Sequence, residues 1–579
     1  MPGKVNRSGY FVKNTALTFE ASHYLATLPH QDPVYFLIRF HCRLFAVWTE
    51  KVADGKANAR MHAYTDTRIH LLAALLVLLS LFLNLGIQPV YLEEPRRATI
   101  AMEMEENGNF IVPTQFGEFY YKKPPVFNWV VWASAKLMGG YSSWALRLPT
   151  ALSVIFIALL LFGLGRRYVN PEFGWLSALL FPISGGLYFY FSLLGEIDLF
   201  YTFITFAGFA ALFHYQQRRR YGLMFLLVYA LAAVGTLTKG LPSVLFLGLS
   251  IVAWLWYEGE LKRLLSPAHL GGILVYGLLV GGYLLAYHQY NDIGNYLRMM
   301  VAESSERTIA ENGLLKLLEH LLMFPLDTIK DLLPGGLLLL FAIRKDLRSL
   351  LLRNKLLTFA TLMFMVNVLP YWVSPGARQR YIYMLYPFLL MIGLYAWQNR
   401  KEVKAWRFRI FRILSGILIG GLAVGSLAIP FIPGLDFLNY RWPLAITGFL
   451  AGASVFYFYL QQPGRTLIFL ILATAVGRLL FDFTVLPQRA HESDAQRDVG
   501  IAQAVDEIVG DTPLYLYEDA RISFSAIFYL NQIRGKTLRR NDEREEGAFY
   551  IALPEQFPGA EVLYEIPYNE EVYGVVKYR

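Results

Sequence analysis

Apolar runs of about twenty residues recur along this chain, and no other feature constrains its fold as strongly. The first, Ile69 to Gln88 (IHLLAALLVLLSLFLNLGIQ), is long enough as a helix to cross a hydrocarbon core of about 30 Å. Further runs centre on Ser153, Ala178, Thr205, Leu231, Leu249, Leu279, Leu338, Phe364, Leu389, Leu418, Thr447 and Leu472, which predicts about thirteen spans. Backbone in lipid must satisfy its own hydrogen bonds, so the expectation is an all-α polytopic membrane protein. Composition agrees, with 55% hydrophobic and only 17% charged residues among 579 and a mean hydropathy of +0.38. The net charge of +9 fits Lys and Arg anchoring loops, and no nucleic-acid partner is expected. Cys42 is the single cysteine, so no intrachain disulfide can form, and the histidines lack metal-ligand spacing.

Residues 1–60 carry aromatics (Tyr10, Phe11, Tyr35, Phe36, Phe40) without a sustained period, and they fit neither a span nor a signal peptide. Met61 stands just before the first span. The expectation is a native start there, preceded by a poorly ordered, non-native extension; an N-terminal peptide from before Met61 in protein from the native host would contradict it. Cations cluster at Arg166–Arg167, Arg218–Arg219–Arg220, Lys262–Arg263, Arg344 to Lys355 and Arg400 to Arg412, in alternate loops. By the positive-inside rule the N-terminus is cytoplasmic. The loop 88–130, the loop from Tyr290 to Leu333, SPGARQR before Tyr381 and the whole C-terminus then lie outside. Val126 to Gly139 is too short to span and reads as an interfacial helix. The membrane domain covers 61–486. At Pro487 the composition changes, and 487–579 reads as a small soluble periplasmic α/β domain. In it Asp494–Val509 has a helical period, TPLYLYED and Val572–Tyr578 look like strands, and ISFSAIFYL is helix or strand. Without a glycine-rich phosphate loop, it is read as a cap or acceptor-docking module.

Polar chemistry concentrates between Tyr91 and Trp129, which holds Glu93, Glu94, Arg96, Arg97, Lys122, Lys123 and the Pro124–Pro125 pair. Carboxylates near hydrocarbon are expensive, so Glu93, Glu94, Glu196 and Asp198 at outer ends of spans need a reason beyond favouring a helix N-terminus. Two residues on a helix subtend about 200°, so Glu196 and Asp198 should not both face one cavity, and one of them is read as structural. Arg96, Arg97, Lys122, Lys123, Lys239, Arg378 and Arg380 fall outside, against the overall bias. Cations so placed point to an anionic ligand, and Arg forks suit phosphate. Arg147 is read as snorkelling to lipid headgroups. An interfacial belt accounts for most of the loop aromatics.

Taken in order, these residues form a set. It comprises Glu93–Glu94 with Arg96, a close variant of E-M-x-x-x-G-x-x-x-V-P from Glu103 to Pro113, K-P-P at Lys123 to Pro125, and W-x-x-R-L-P at Trp144 to Pro149. Then follow an acidic x-x-D motif from Asp198 to Phe203, T-K-G at Thr238 to Gly240 and R-Q-R-Y at Arg378 to Tyr381. Over residues 65 to 485 it resembles the polyprenyl-phosphate-sugar-dependent glycosyltransferases of GT-C fold, in particular bacterial relatives of protein O-mannosyltransferases and of the aminoarabinose transferase that modifies lipid A. The resemblance implies a polyprenyl-phosphate-sugar donor and a lipid (lipid A-like) or protein acceptor. It also implies inverting transfer of a hexosyl or pentosyl unit, without metal or cofactor, at the periplasmic face of a bacterial inner membrane; a monomer is expected. Carried over by position, Glu93, Glu94 and Asp198 are catalytic, and Lys123 and Arg380 bind the donor phosphate; the outer cations Arg96, Lys239 and Arg378 complete the expected phosphate-binding set. Two departures stand out: Glu93 replaces the family's usual Asp, and Lys122 replaces the acid that often precedes K-P-P. The competing expectation is a transporter or lipid-linked-sugar flippase. Transporter sites usually lie at the bilayer midplane between repeated halves, whereas the acids here gather at one face.

Overall fold

The computed structural model describes residues 59–305 and 309–579, so the expected extension, but for its last two residues, lies outside the described residues. Each predicted apolar run falls on a helical element, but the elements differ in length. Among the described residues eight helices are long and apolar enough to span, or nine if Pro171–Leu180 and Gly185–Leu193, bent by 49° at their junction, form one broken span. Thr67–Phe82 and Pro242–Tyr257 are shorter apolar helices. The run at Leu338 is a 3-10 segment, Gly335–Phe341, and that at Leu389 is the 13-residue helix Tyr386–Gln398. Pro334, the Gly335–Gly336 pair and Pro387 explain both, since each disfavours a continuous helix.

The described chain divides into two compact units. One comprises Arg412–Thr484 with the described residues up to Leu76. Its core joins Ile429, Leu435, Leu444, Val476 and Leu480, and it buries an Arg478–Asp482 pair of 2.6 Å.

The second unit, residues 77–411 with 485–579, holds the polar loop. Six helices frame it: α1 (Ala59–Phe82), of which only the end belongs here, α2 (Glu94–Asn107), α3 (Val126–Leu137), α4 (Ser143–Tyr168), α5 (Ile197–Gln217) and α6 (Tyr221–Lys239). Helix α2 takes Pro95 in its first turn, where a missing N–H costs nothing, and stops at Gly108 in the left-handed conformation. Its Glu103, which is buried, accepts hydrogen bonds from the backbone N–H of Phe116 (2.6 Å) and Gly117 (3.1 Å). Those two residues, both at positive φ, form the turn between strands β1 (Thr114–Gln115) and β2 (Glu118–Phe119). The Glu103–Pro113 motif is therefore scaffolding. Helix α4 is capped by Ser142, and Trp144 stacks on Phe82 at 5.9 Å.

The tail is an α/β layer. Strands β3 (Leu514–Leu516), β4 (Arg539–Arg540), β5 (Phe549–Ala552), β6 (Val562–Tyr568) and β7 (Glu571–Lys577) lie in the order β4-β3-β5-β7-β6, with β3 parallel to both neighbours and β7 antiparallel to both. Helices α7 (Asp494–Val509) and α8 (Phe524–Arg534) supply Ile501, Val505, Ile527 and Leu530 to a core shared with Leu516, Ile551 and Val575. The stretch left open between helix and strand is thus α8. It docks on the polar loop: Ser525 Oγ donates to the Val90 carbonyl (2.9 Å), the Val90 N–H donates to Tyr529 Oη (2.7 Å), and Phe116 stacks on Phe524.

Candidate active site

The site grows from the start of α2 and the start of α5. Glu94 is fully buried. Its carboxylate takes a two-pronged bond from Arg147 of α4, Nε to Oε1 at 2.8 Å and Nη2 to Oε2 at 2.9 Å. It also accepts the N–H of Gly195 (2.5 Å) and of Tyr91 (3.2 Å). Arg147 spends its remaining donors on the carbonyls of Leu85 (2.8 Å), Gln88 (3.1 Å) and Pro89 (3.0 Å). Arg147 therefore does not snorkel. It is 1% exposed and ties α4 to the end of the first span and the start of the loop. Snorkelling is the ordinary fate of an arginine near a helix end, but a fork that matches a buried carboxylate overrides it.

Glu93, one residue earlier, sits outside the first turn and is 40% exposed. Arg96 Nη1 meets both its oxygens, at 2.9 and 2.7 Å, and Arg97 lies 3.7 Å from it. Arg96 in turn lies 4.4 Å from the centre of the Phe524 ring in the tail.

On the other side, Arg380 reaches both Glu196 and Asp198. Its Nη1 is 3.1 Å from Glu196 Oε2, and its Nε is 4.0 Å from Asp198 Oδ2. The helical-rotation expectation fails here because Glu196 is the cap of α5, with extended backbone (φ −100°, ψ 155°), so only Asp198 follows helical geometry. Lys239, the last residue of α6, pairs with Asp198 Oδ1 at 2.5 Å and lies 4.9 Å from the Tyr381 ring. Lys123 also acts electrostatically on Asp198. Arg378, by contrast, is exposed, and its side chain makes no ion pair or hydrogen bond among the described residues.

Burial, then the neighbouring Asp198, pushes the Glu196 carboxyl up to about 7, with Arg380 opposing and Glu94 and Glu93 adding to the rise. Arg97, Tyr190 and Tyr383 also lie within electrostatic reach of it. Below about 7 the carboxyl gains its proton and releases Arg380 to an anion; above, it holds it. Affinity for a phosphate ligand should therefore fall as pH rises through about 7, and Glu196→Gln should flatten that profile. Binding of polyprenyl phosphate measured between pH 6 and 8 checks this directly; an unchanged profile in Glu196→Gln would contradict it.

The sequence placed Glu196 outside the catalytic set, and a carboxylate two positions before a motif aspartate is the only signal that could have included it. No sequence signal joins Phe524 to Arg96, more than four hundred positions away.

A family model described as dolichyl-phosphate-mannose-protein mannosyltransferase matches residues 122–281. An uncharacterised protein of Aquifex aeolicus is 24% identical over 401 residues, 68% of this chain and 77% of that one. An undecaprenyl phosphate-alpha-4-amino-4-deoxy-L-arabinose arabinosyl transferase of Pseudomonas savastanoi pv. phaseolicola is 28% identical over 242 residues, 41% of this chain, and the match spans 44% of that enzyme. The crystal structure of ArnT from Cupriavidus metallidurans bound to undecaprenyl phosphate shares the fold, with a TM-score of 0.64 at 16% identity over 87% of this chain and 97% of that one. The resemblance read from the ordered motifs is thereby borne out, and the chain is a polytopic membrane protein of GT-C fold, similar to the polyprenyl-phosphate-sugar-dependent glycosyltransferases.

Proposed function

We propose that the protein is an integral membrane glycosyltransferase that moves a sugar from a polyprenyl-phosphate donor to a lipid, lipid A-like, or protein acceptor at the periplasmic face of an inner membrane. The observation that carries this is Arg380 shared between Glu196 and Asp198, with Lys239 and Lys123 on the same aspartate. Such a cluster is neutral enough to survive at a membrane face, and it can hand its cations to an incoming phosphate.

In the transfer, an acceptor hydroxyl oxygen bonds to the anomeric carbon as the bond from that carbon to the phosphate oxygen breaks. The electron pair stays on the phosphate, where Arg380, Lys239 and Lys123 offset the charge that develops. One displacement inverts the anomeric centre. The acceptor proton goes to a carboxylate, and Glu93 is the one open to an acceptor, because all of Glu94's room is taken by Arg147, Gly195 and Tyr91. Glu94 is then a positioning residue. Arg96 orients Glu93, and Arg378 forms an outer contact for the donor. Asp198 gathers the cations.

Arg380→Gln tests the donor half. Polyprenyl phosphate should bind the variant roughly 10- to 100-fold more weakly, the scale of one charge-assisted contact; equal affinity would remove Arg380 from the site. The tail takes part through Phe524, which backs Arg96 behind Glu93. Phe524→Ala should lower kcat several-fold with KM for the donor nearly unchanged, and Phe524→Tyr should restore it. Loss of donor affinity instead would mean that the tail only supports folding. The bent pair around Pro182 is a feature that a transporter would share, but residues 181–184 between its halves carry no charge.

A further inference from the structure

At the end of α4 remote from the acids, a groove of about 720 Å³ runs between α4, α5 and α6. Arg147 and Arg166 lie on the same helix, 19 residues apart, which places the two ends about 29 Å from each other, the thickness of a hydrocarbon core. Gly163, Ala207, Ala210 and Ala211 leave its floor hollow, and Leu159 and Leu231 wall it. The wall is apolar and open on one side, with Leu159 58% exposed.

Its end is cationic. Arg166 and Arg167 both line it and both are exposed. Arg167 and Arg218 act together on His214, whose Nδ1 lies 3.0 Å from the Tyr168 hydroxyl. Among the described residues none of the three arginines is paired with a carboxylate. Of the acids of that face, Glu258 pairs with Lys355 at 3.1 Å, Glu260 accepts from the Tyr221 hydroxyl at 2.6 Å, and the exposed Glu172 acts electrostatically on Arg400.

An apolar channel ending in unpaired cations at the headgroup level matches one chemistry, an alkyl chain bearing an anionic head. We propose that this groove binds an anionic diacyl phospholipid from the leaflet opposite the acid cluster, with its phosphate on Arg166 and Arg167 and one acyl chain along Leu159, Ala207, Ala211 and Leu231. The fork of an arginine suits the phosphate oxygens, and the small residues admit the chain without displacing bulk. The site is separate from the one that transfers sugar and does not depend on it.

The test is native mass spectrometry of the full chain released from micelles containing phosphatidylglycerol, phosphatidylcholine or polyprenyl phosphate. The wild type should retain phosphatidylglycerol with a preference of roughly tenfold or more over phosphatidylcholine, as two headgroup-level cations allow. Arg166→Gln/Arg167→Gln, changed only at exposed positions, should lose that preference. Ala211→Leu, which narrows the floor, should lower retention of phosphatidylglycerol while keeping the wild-type melting temperature. Equal retention of the two phospholipids by the wild type, an unaltered preference in the arginine variant, or retention of polyprenyl phosphate alone would each overturn the proposal.

Discussion

Arg147→Met is expected to destabilise the folded chain by about 3–5 kcal/mol, the usual cost of removing one partner from a buried ion pair. Glu94 would be left 0% exposed and without its fork. The carbonyls of Leu85, Gln88 and Pro89 would lose their donor at the same time. The damage reaches the site, because Glu94 also holds the N–H of Gly195, the residue before Glu196. Space is short there as well: a Cβ on Gly195 would meet the Leu146 carbonyl oxygen at 2.6 Å and Glu94 Oε1 at 3.3 Å. Gly195→Ala should therefore reproduce part of the loss without touching a charge. Thermal unfolding in detergent checks both variants. A melting temperature within about two degrees of wild type for Arg147→Met, against the several degrees that a loss of about 3–5 kcal/mol commands, would mean that the pair is not the fastening described here.

Asp198→Asn is expected to reduce sugar transfer by roughly 10²–10³-fold, the range seen when one preorganised electrostatic contact is lost from a reaction centre. The reason is not that Asp198 takes a proton. Its two oxygens face Lys239 at 2.5 Å and Arg380 at 4.0 Å, so it fixes where both cations stand before the donor arrives. The amide keeps the shape but not the charge, leaving Lys239 and Arg380 to repel each other at 10% and 23% exposure. The fall should appear in kcat as well as in donor affinity, because charge on the leaving phosphate grows only in the transition state. Transfer rates at saturating donor separate the two effects. A variant within tenfold of wild type in kcat would reduce Asp198 to a structural acid.

Much of the frame was legible in the sequence because hydrophobic runs report burial in lipid directly. The helix Asp494–Val509 matches its predicted bounds, Val572–Tyr578 lies within a residue of β7, and TPLYLYED contains β3, which is shorter by two residues at one end and three at the other. Span length was less legible. At Leu338 and Leu389, hydropathy stays high while proline and glycine break the helix, so composition alone counts thirteen apolar runs where, among the described residues, eight or nine helices are long enough. Within the site, the motifs name residues that the structure pairs, such as Asp198 with Lys239, but which residues pair is not legible in the motifs. Glu94 and Arg147 stand 53 positions apart, and nothing local to Arg147 distinguishes a buried fork from a snorkelling side chain. Glu196 departs from the helical-rotation expectation for a simpler reason: it stands just outside the helix, with extended backbone.

Whether the protein is a glycosyltransferase or a carrier is decided by sugar transfer in proteoliposomes, from a panel of polyprenyl-phosphate sugars to lipid and protein acceptors. Wild type and Glu93→Gln are compared, with donor lipid in each leaflet assayed in parallel. The wild type should transfer at least one sugar, and Glu93→Gln should lose that transfer by roughly 10²–10⁴-fold, the reach of a positioned base, with donor binding retained. A wild type that transfers no sugar but carries the lipid donor from one leaflet to the other would contradict the proposed function.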